Sequence, residues 1–440
     1  MVNIITGIDI GSHKVSVVIA MVDEDSKARV IGEASYPSVG IRKGEITGID
    51  EAINSIASAL NGAERMAGLT VSSAYVSING KQIISNNNKG VVAIADSEIT
   101  EDDVFRTMEQ ARTVAIPPAR EIIHLIPREF IVDQQSGIKV PIGMTGNRLE
   151  VDAHIISSPV TAIHNLEKCI QSTGLKIDSI VFTGWAAAQS VLTPTEKELG
   201  VLLLDIGGGT VSITTFVEDA VTYSTSIPLG GSNITRDLAA GLRLSLDDAE
   251  KVKVTANDLL KESEEVKKIK PVEKKEKKEK SEDLEDESSE KRSDIINVAH
   301  LGIEGVKTIS RKLFSEIVDA RVEEILELVK LNIEQSGNEY KLPAGIVLTG
   351  GAAQIPGITA IAKKVFGAPA RVGIPRGLDG LVEGISSSAY SVVSGLLLYA
   401  LHDEVTRGDT KYTPKGGIKS KTQGGSIFDR LLGAIRRVLP

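Results

Sequence analysis

Two aspartates, Asp9 and Asp205, each end an apolar run and each precede a glycine-containing turn. The longer signal is Val201 to Phe216, VLLLDIGGGTVSITTF. Its pattern predicts strand, tight turn, strand, with Gly207, Gly208, Gly209 and Thr210 as the turn. Three glycines leave backbone N–H groups unshielded and permit positive φ, so the turn suits an anion. Asp205 at its mouth suits a divalent cation that neutralises the same anion, usually through water. On this stretch alone an ordinary buried hairpin explains the residues as well. A second copy weighs against that. Ile5 to Ile19, ITGIDIGSHKVSVVI, aligns without a gap on Val201 to Thr215, placing Asp9-Ile10-Gly11 on Asp205-Ile206-Gly207. Two such hairpins suggest a duplicated α/β fold whose phosphate-binding turns face one nucleotide.

Other candidates gather round this pair. Ser12 and Lys14 lie in the first turn, and Lys14 is either a phosphate contact or a solvated loop lysine. Gly345 to Gly357, GIVLTGGAAQIPG, reads as a strand, a Gly350-Gly351 turn and then a helix. Glycine has no side chain to keep a flat ring from the backbone there. Glu250 and Lys253 are one turn apart on a helix that Ser245 caps. His124 and His154 sit in apolar strands and read as core histidines, because no further ligand spacing accompanies them. Cys169 is the single cysteine, which excludes an internal disulfide framework and suits a reducing compartment.

The elements that must hold these groups follow from periodicity. A strand is expected at about 30–36, a helix at 49–66 and a strand at 73–78. Residues 83–158 break that rhythm with short β-like runs and a helix at about 101–114, and read as an inserted α+β module. Helices are expected at 161–172 and from about 184, a strand at 179–182 and a helix at 233–242. A long helix is expected at 309–334, a short strand at 370–374 and a final helix to about 401. Residues 261–293 are charged and low in apolar residues, and read as a disordered insert. A composition of 41% hydrophobic and 25% charged residues is that of a globular chain. A net charge of −9 argues against a nucleic-acid partner. The N-terminal residues lack the basic region of a secretory signal, and no apolar run approaches the roughly 20 residues that span a bilayer.

The tail carries a second pattern. Ile427, Phe428, Leu431, Leu432, Ile435, Val438 and Leu439 fall on one helical face of 426–440, with Arg436 and Arg437 on the other. A short basic amphipathic helix after a polar linker, 403–425, suits an anionic lipid surface. Docking on its own domain or on a partner is the alternative.

The three nucleotide motifs, in this order, resemble the actin, heat-shock chaperone and sugar-kinase superfamily. More closely, together with GIRKGEITGID (40–50), EFIVDQQSGIKVPIGMTGNRLEVDAHII (129–156) and IPLGGSNITRDLAAGL (227–242), the chain resembles the FtsA family of actin-like cell-division proteins. The resemblance implies a duplicated actin-like, ribonuclease H-like ATPase fold with a nucleotide cleft between its halves. Residues 1–82 and 159–198 would form the first half and 83–158 the inserted subdomain. Residues 199–230 and 335–402 would form the second half, with 231–334 as its small subdomain. ATP and Mg2+ are the implied cofactors. Asp9 and Asp205 would organise metal and water, the two turns would hold phosphates, and Glu250, Lys253, Gly350 and Gly351 would hold the nucleoside. The helix from Gly184 lacks the acidic residue that orients water in chaperone-type relatives, which implies weak hydrolysis at best. Implied partners are the C-terminal peptide of the tubulin-like ring protein FtsZ, with Arg321 and Glu324 as candidate contacts, further copies in a filament, anionic inner-membrane lipids and later division proteins. The implied location is the cytoplasmic face of the membrane at the division site. A pilus-assembly relative and a sugar or small-molecule kinase are the rival readings.

Overall fold

The computed structural model describes residues 3–23, 27–96, 98–113, 117–260, 294–337, 342–381 and 383–408. The chain opens with an antiparallel meander, Asn3–Ile10 (β1), Lys14–Val22 (β2) and Ala28–Pro37 (β3). A small hairpin, Ile41–Arg42 (β4) and Glu45–Ile46 (β5), leads into helix Ile49–Ala67 (α1) and strand Ser73–Ile78 (β6). Helix α1 buries Ala52, Ile56, Ala59, Leu60 and Ala63 along one stripe and stops at Gly68, whose φ of 70° leaves the helical region.

The inserted module then departs and returns. It comprises Ile84–Ala93 (β7), Glu101–Thr113 (α2), Arg120–Val132 (β8), Gln135–Ile138 (β9) and Arg148–Pro159 (β10), with the sheet ordered β7-β10-β8-β9. It has its own core, in which Val104 and Met108 of α2 meet Phe130, Leu149 and Val151. The first half resumes with Val160–Gln171 (α3), Lys176–Phe182 (β11), Thr183–Val191 (α4) and Pro194–Leu199 (α5). Cys169 is fully buried on α3.

The second half repeats the plan with Val201–Ile206 (β12), Val211–Val217 (β13) and Ala220–Ile227 (β14). Helices Gly231–Leu242 (α6) and Leu246–Val254 (α7) follow, then hairpin Ile295–Asn297 (β15) with Thr308–Ser310 (β16), and helix Arg311–Gln335 (α8). Phe314, Val318, Val322, Ile325, Leu326 and Val329 recur at helical spacing on the buried face of α8. Ile346–Thr349 (β17), Ile358–Phe366 (α9) and Ala370–Val372 (β18) complete the sheet. Its order, β14-β13-β12-β17-β18, is the order β3-β2-β1-β6-β11 of the first sheet. In both, a meander is extended by two parallel strands beside the first strand. That repetition is the duplication the two aspartate hairpins announced. Strands β1 and β12 are buried almost throughout, as strands covered on both faces must be.

The last stretch departs from the expectation that 335–402 closes the second half. Asp379–Gly380 (β19) pairs with β3, and helix Ser391–Gly408 (α10) buries Val393, Leu396, Leu397 and Ala400 in the first core. An apolar helix records that it is buried, not which sheet buries it. Residues 403–408 continue α10 where a linker was expected. The charged insert 261–293 and the tail 426–440, with every membrane-facing residue assigned there, lie outside the described residues. Among the described residues no helix is long and apolar enough to cross a membrane.

Candidate functional site

The two aspartate hairpins face each other across a cleft of about 260 Å³. Asp9, Gly11, Ser12 and Lys14 line it from the first half. Asp205, Gly207, Gly208, Thr210, Glu250, Lys253, Gly350 and Gly351 line it from the second. The turns are built alike: Gly11 N–H donates to Lys14 O at 3.1 Å, and Gly207 N–H to Thr210 O at 2.9 Å. Each aspartate stands opposite a serine of its partner strand, Ser16 or Ser212. The turns also touch. A Cβ on Gly208 would lie 2.9 Å from His13 Cβ, and one on Gly209 would lie 2.7 Å from Ser12 Oγ. Only glycine permits that approach. The start of α6 sits on the second turn, with Gly231 N–H donating to Gly207 O at 2.9 Å and Ser232 N–H to Gly208 O at 2.8 Å.

The carboxylates are held at a cost. Ser77 Oγ–H donates to Asp9 Oδ1 at 2.8 Å, and burial still pushes the Asp9 carboxyl above its usual range. Burial, and then the facing charge of Asp9, pushes Asp205 up to about 7. Gly350 has φ of 86°, and a Cβ there would lie 2.5 Å from Asp205 Oδ1 and 2.5 Å from Ile206 O. The third motif is therefore pressed against the second carboxylate. Two desolvated carboxylates that repel each other form a cation-seeking pair. Among the described residues no cluster of three or more His, Cys, Asp or Glu side chains suits a closed metal cage. A lone carboxylate pair fits Mg2+, which keeps waters and phosphate oxygens as its other ligands.

On the opposite wall, Lys253 Nζ donates to Glu250 Oε2 at 2.6 Å, to Thr235 Oγ1 at 2.8 Å and to Gly231 O at 3.3 Å. Burial pushes Glu250 up, but the Lys253 charge and hydrogen bonds from Lys253 and Thr235 outweigh it and leave the carboxyl below its usual range. Lys253 is thus a brace between α7 and the first turn of α6. His13 Nε2 reaches across to Glu250 Oε1 at 3.8 Å. The Lys14 ammonium stands over the Tyr390 ring, 3.3 Å from its centroid, so its charge is already engaged. A Cβ on Gly351 would meet nothing closer than Ala389 Cβ at 3.9 Å, so that residue leaves open space for a ligand.

Arg321 and Glu324 do not line this cleft. The Arg321 guanidinium is paired with Asp237 of α6 and, at 2.7 Å, with Glu324. Glu324 is the more exposed of the two at 53%. Trp185 stacks on Phe216 at 6.0 Å between ring centroids, joining α4 to β13. His154 and His124 are core residues: His154 bonds Asn87 and Ser224, and His124 Nε2 accepts the Phe182 N–H. Ser77, Asn79, Thr183 and Thr235 were not singled out from sequence. Asn79 and Thr183 stand at element ends and line the cleft, while Ser77 near the end of β6 and Thr235 within α6 bond Asp9 and Glu250, contacts that only the tertiary fold creates.

Two sheets that repeat one five-strand order, with facing aspartate hairpins, define an actin-like protein, and solved structures agree. The chain superimposes on a structure of a PilM-PilN type IV pilus biogenesis complex with a TM-score of 0.59 at 15% identity, covering 90% of this chain and 98% of that one. It superimposes on MreB 5 of Spiroplasma citri bound to AMPPNP with a TM-score of 0.50 at 13% identity, covering 92% and 99%. Within that class the sequence is specific. Residues 80–157 match the model of the SHS2 domain inserted in FtsA, and residues 202–395 match the model of cell division protein FtsA. The chain is 35% identical to cell division protein FtsA of Pseudomonas aeruginosa, covering 91% of this chain and 90% of the relative. It is 35% identical to that of Neisseria meningitidis, covering 97% and 96%, and 32% identical to that of Escherichia coli K12, covering 90% of each. The chain belongs to the FtsA family of cell-division proteins.

Proposed function

We propose that the chain binds ATP with Mg2+ in this cleft and uses the nucleotide as a clasp on the angle between its halves. The observation that carries the reading is the pair of facing aspartates, both pushed toward their neutral forms by burial, which the Ser77 hydrogen bond and the Lys14 charge do not fully offset at Asp9. Bound Mg-ATP supplies a cation together with a polyanion long enough to span both turns. The turns at Gly11-Ser12 and Gly207–Thr210 present amides and hydroxyls to it, while Glu250, Lys253, Gly350 and Gly351 wall the nucleoside. Hydrolysis is weak, because the first turn of α4 carries no acidic residue to hold a water.

Family membership supports the wider role. With the cleft closed, copies assemble into filaments on the cytoplasmic face of the membrane. The tail helix, with Ile427, Phe428, Leu431, Leu432, Ile435, Val438 and Leu439 turned to lipid, ties them there at the division site. Burial of about five large side chains per tail is worth several kcal/mol before the cost of ordering, so one tail binds reversibly and a row of tails binds durably. The small subdomain holds the C-terminal peptide of FtsZ. Arg321 is already tied to Asp237, which leaves Glu324 the freer candidate. Later division proteins join the same assembly. The family match sets aside the pilus-assembly and sugar-kinase readings.

Liposome co-sedimentation tests this, using the full chain and a chain ending at Gly425, with and without Mg-ATP, on anionic vesicles. The expected result is that only the full chain pellets, and more so with Mg-ATP. If both chains stay in the supernatant, the anchoring role fails.

A further inference from the structure

We propose that Asn79 is a positioning residue for the terminal phosphate of the nucleotide, acting through the hydroxyl of Thr210. The proposal rests on the nucleotide reading above. Asn79 directly follows β6, the parallel neighbour of β1, and lines the cleft. The Gly80 N–H donates to Asn79 Oδ1 at 2.8 Å, which fixes that end of the amide as oxygen. The other end is therefore the NH2 group. It donates across the cleft, to Thr210 Oγ1 at 2.9 Å and to Ser212 Oγ at 3.0 Å.

The direction of these bonds matters. A hydroxyl has one proton and two acceptor sites. With one acceptor site of Thr210 filled by Asn79, the Thr210 proton points elsewhere. Among the described residues no protein group accepts it, and the side left open is the cleft that Thr210 lines. The first turn repeats the device. Ser12 Oγ accepts the Gly44 N–H at 2.8 Å, which leaves its proton free in the same way. The Ser12 side chain lies where the second turn comes closest, 2.7 Å from a Cβ placed on Gly209. Each turn thus carries one hydroxyl whose acceptor side is occupied from the first half and whose proton is left for an anion. The phosphoryl group that meets both is the one lying between the turns, and a triphosphate reaches it where a diphosphate falls short. Asn79 also stands at the root of the inserted module, so the residue that reads this phosphate is the one from which that module departs.

The test is titration calorimetry of Mg-ATP and Mg-ADP with the wild-type chain, Asn79→Ala, Thr210→Val and the double variant. Asn79→Ala is expected to weaken Mg-ATP roughly tenfold, the effect of one misdirected hydrogen bond to a charged acceptor, and Mg-ADP less than about twofold. Thr210→Val should do the same, and the double variant should be no weaker than Thr210→Val alone, because the two residues act as one unit. Thr210→Ser, which keeps the hydroxyl, should retain the preference for ATP. If Asn79→Ala does not fold, Asn79→Ser is the substitute; it is too short to span to Thr210 and should show the same ATP-specific loss. Equal weakening of ATP and ADP, or a double variant that multiplies the two single losses, reduces Asn79 to a structural latch and overturns the proposal. A wild-type chain that binds neither nucleotide overturns the nucleotide reading itself, and this proposal with it.

Discussion

Replacing Asp205 by asparagine should stabilise the nucleotide-free protein while abolishing its response to Mg-nucleotide. The carboxyl is 6% exposed and is held at about 7, against an ordinary value of 3.8, by burial and by the neighbouring charge of Asp9. A carboxyl raised on folding favours the folded state fully below its unfolded value. That advantage is lost as pH rises through the folded one, because the unfolded chain releases the proton first. The gap is about three pH units, and about 1.4 kcal/mol for each puts the cost of ionising Asp205 at ~4 kcal/mol at pH 8. At pH 5 the cost is about 1.5 kcal/mol, since only the interval above the unfolded value counts. The asparagine amide has no proton to lose in this range. Urea unfolding in chelator, without nucleotide, should therefore show Asp205→Asn more stable than the wild type at pH 8, with the difference shrinking at pH 5. Adding Mg-ATP should then raise the midpoint of the wild type and leave the variant unmoved. A difference of the same size at both pH values would refute the reasoning, because a packing effect does not titrate.

The other variants probe the neighbouring parts of the fold. Gly350→Ala should cost at least about 2 kcal/mol in thermal or urea unfolding, since it forces a side chain into positive φ and against Asp205 and the Ile206 carbonyl. Gly351→Ala has room, so its midpoint should stay within about 0.5 kcal/mol of wild type while nucleotide titration shows weaker binding. Lys253→Met should cost about 1–3 kcal/mol, because Glu250 keeps its Thr235 contact but loses the cation that offsets its burial; the expected loss is read from urea midpoints at pH 7. His154, buried between Asn87 and Ser224, is pushed down to about 3 by burial and by the charge of Arg128. The unfolded chain therefore binds the extra proton between its ordinary value of 6.5 and about 3, and stability falls as pH drops through that window. His154→Gln should flatten that acid limb in unfolding midpoints measured at pH 4.5 and 7.

How much of this was legible depended on how locally each signal was written. The aspartate hairpins were readable because strand, turn and carboxylate lie within one short window, and the second copy repeats the window without a gap. The helices over 49–67 and 311–335 were readable because their buried faces recur at helical spacing. Residues 379–402 were assigned to the second half, and 403–408 to a linker, because an apolar helix such as α10 could be covered by either sheet; β1 and β3, against which α10 and β19 lie, are at the other end of the sequence. For Lys14 the sequence left a phosphate contact and a solvated loop lysine open, and nothing nearby in sequence announced the Tyr390 ring beneath its ammonium. Asn79 gave no sign at all, since its meaning comes from Gly80 on one side and from a turn 131 residues away on the other.

The contacts that join the halves differ in chemistry. Between α4 and β13 the joint includes the stack of Trp185 on Phe216, apolar surface that costs free energy to expose. Along the outer side the inserted module meets the edge strand β14 and the turn before it through side chains. Ser85 Oγ accepts the Ser224 N–H at 2.9 Å, Asn87 Nδ2 donates to Thr222 O at 3.0 Å, and Lys139 Nζ donates to Glu218 O at 2.9 Å. These caps satisfy an edge that would otherwise stand open to pairing. They do so without a continuous ladder, but the bonds at Ser224 and Thr222 are not solvent-exposed: both residues are buried, and His154 Nε2 meets Ser224 Oγ at 3.0 Å beside them. The module is therefore tied to the first half by its chain and by packing of Ile126 and Ile156, and to the second half by discrete polar bonds. A change in the angle between the halves must be absorbed either in that seam or at the chain joints. One of those joints is Asn79-Gly80, where Gly80 has φ of 131° and the Asn79 amide bridges to Thr210 of the second turn. The polar seam and the Asn79-Gly80 joint thus both connect the inserted module to the second half.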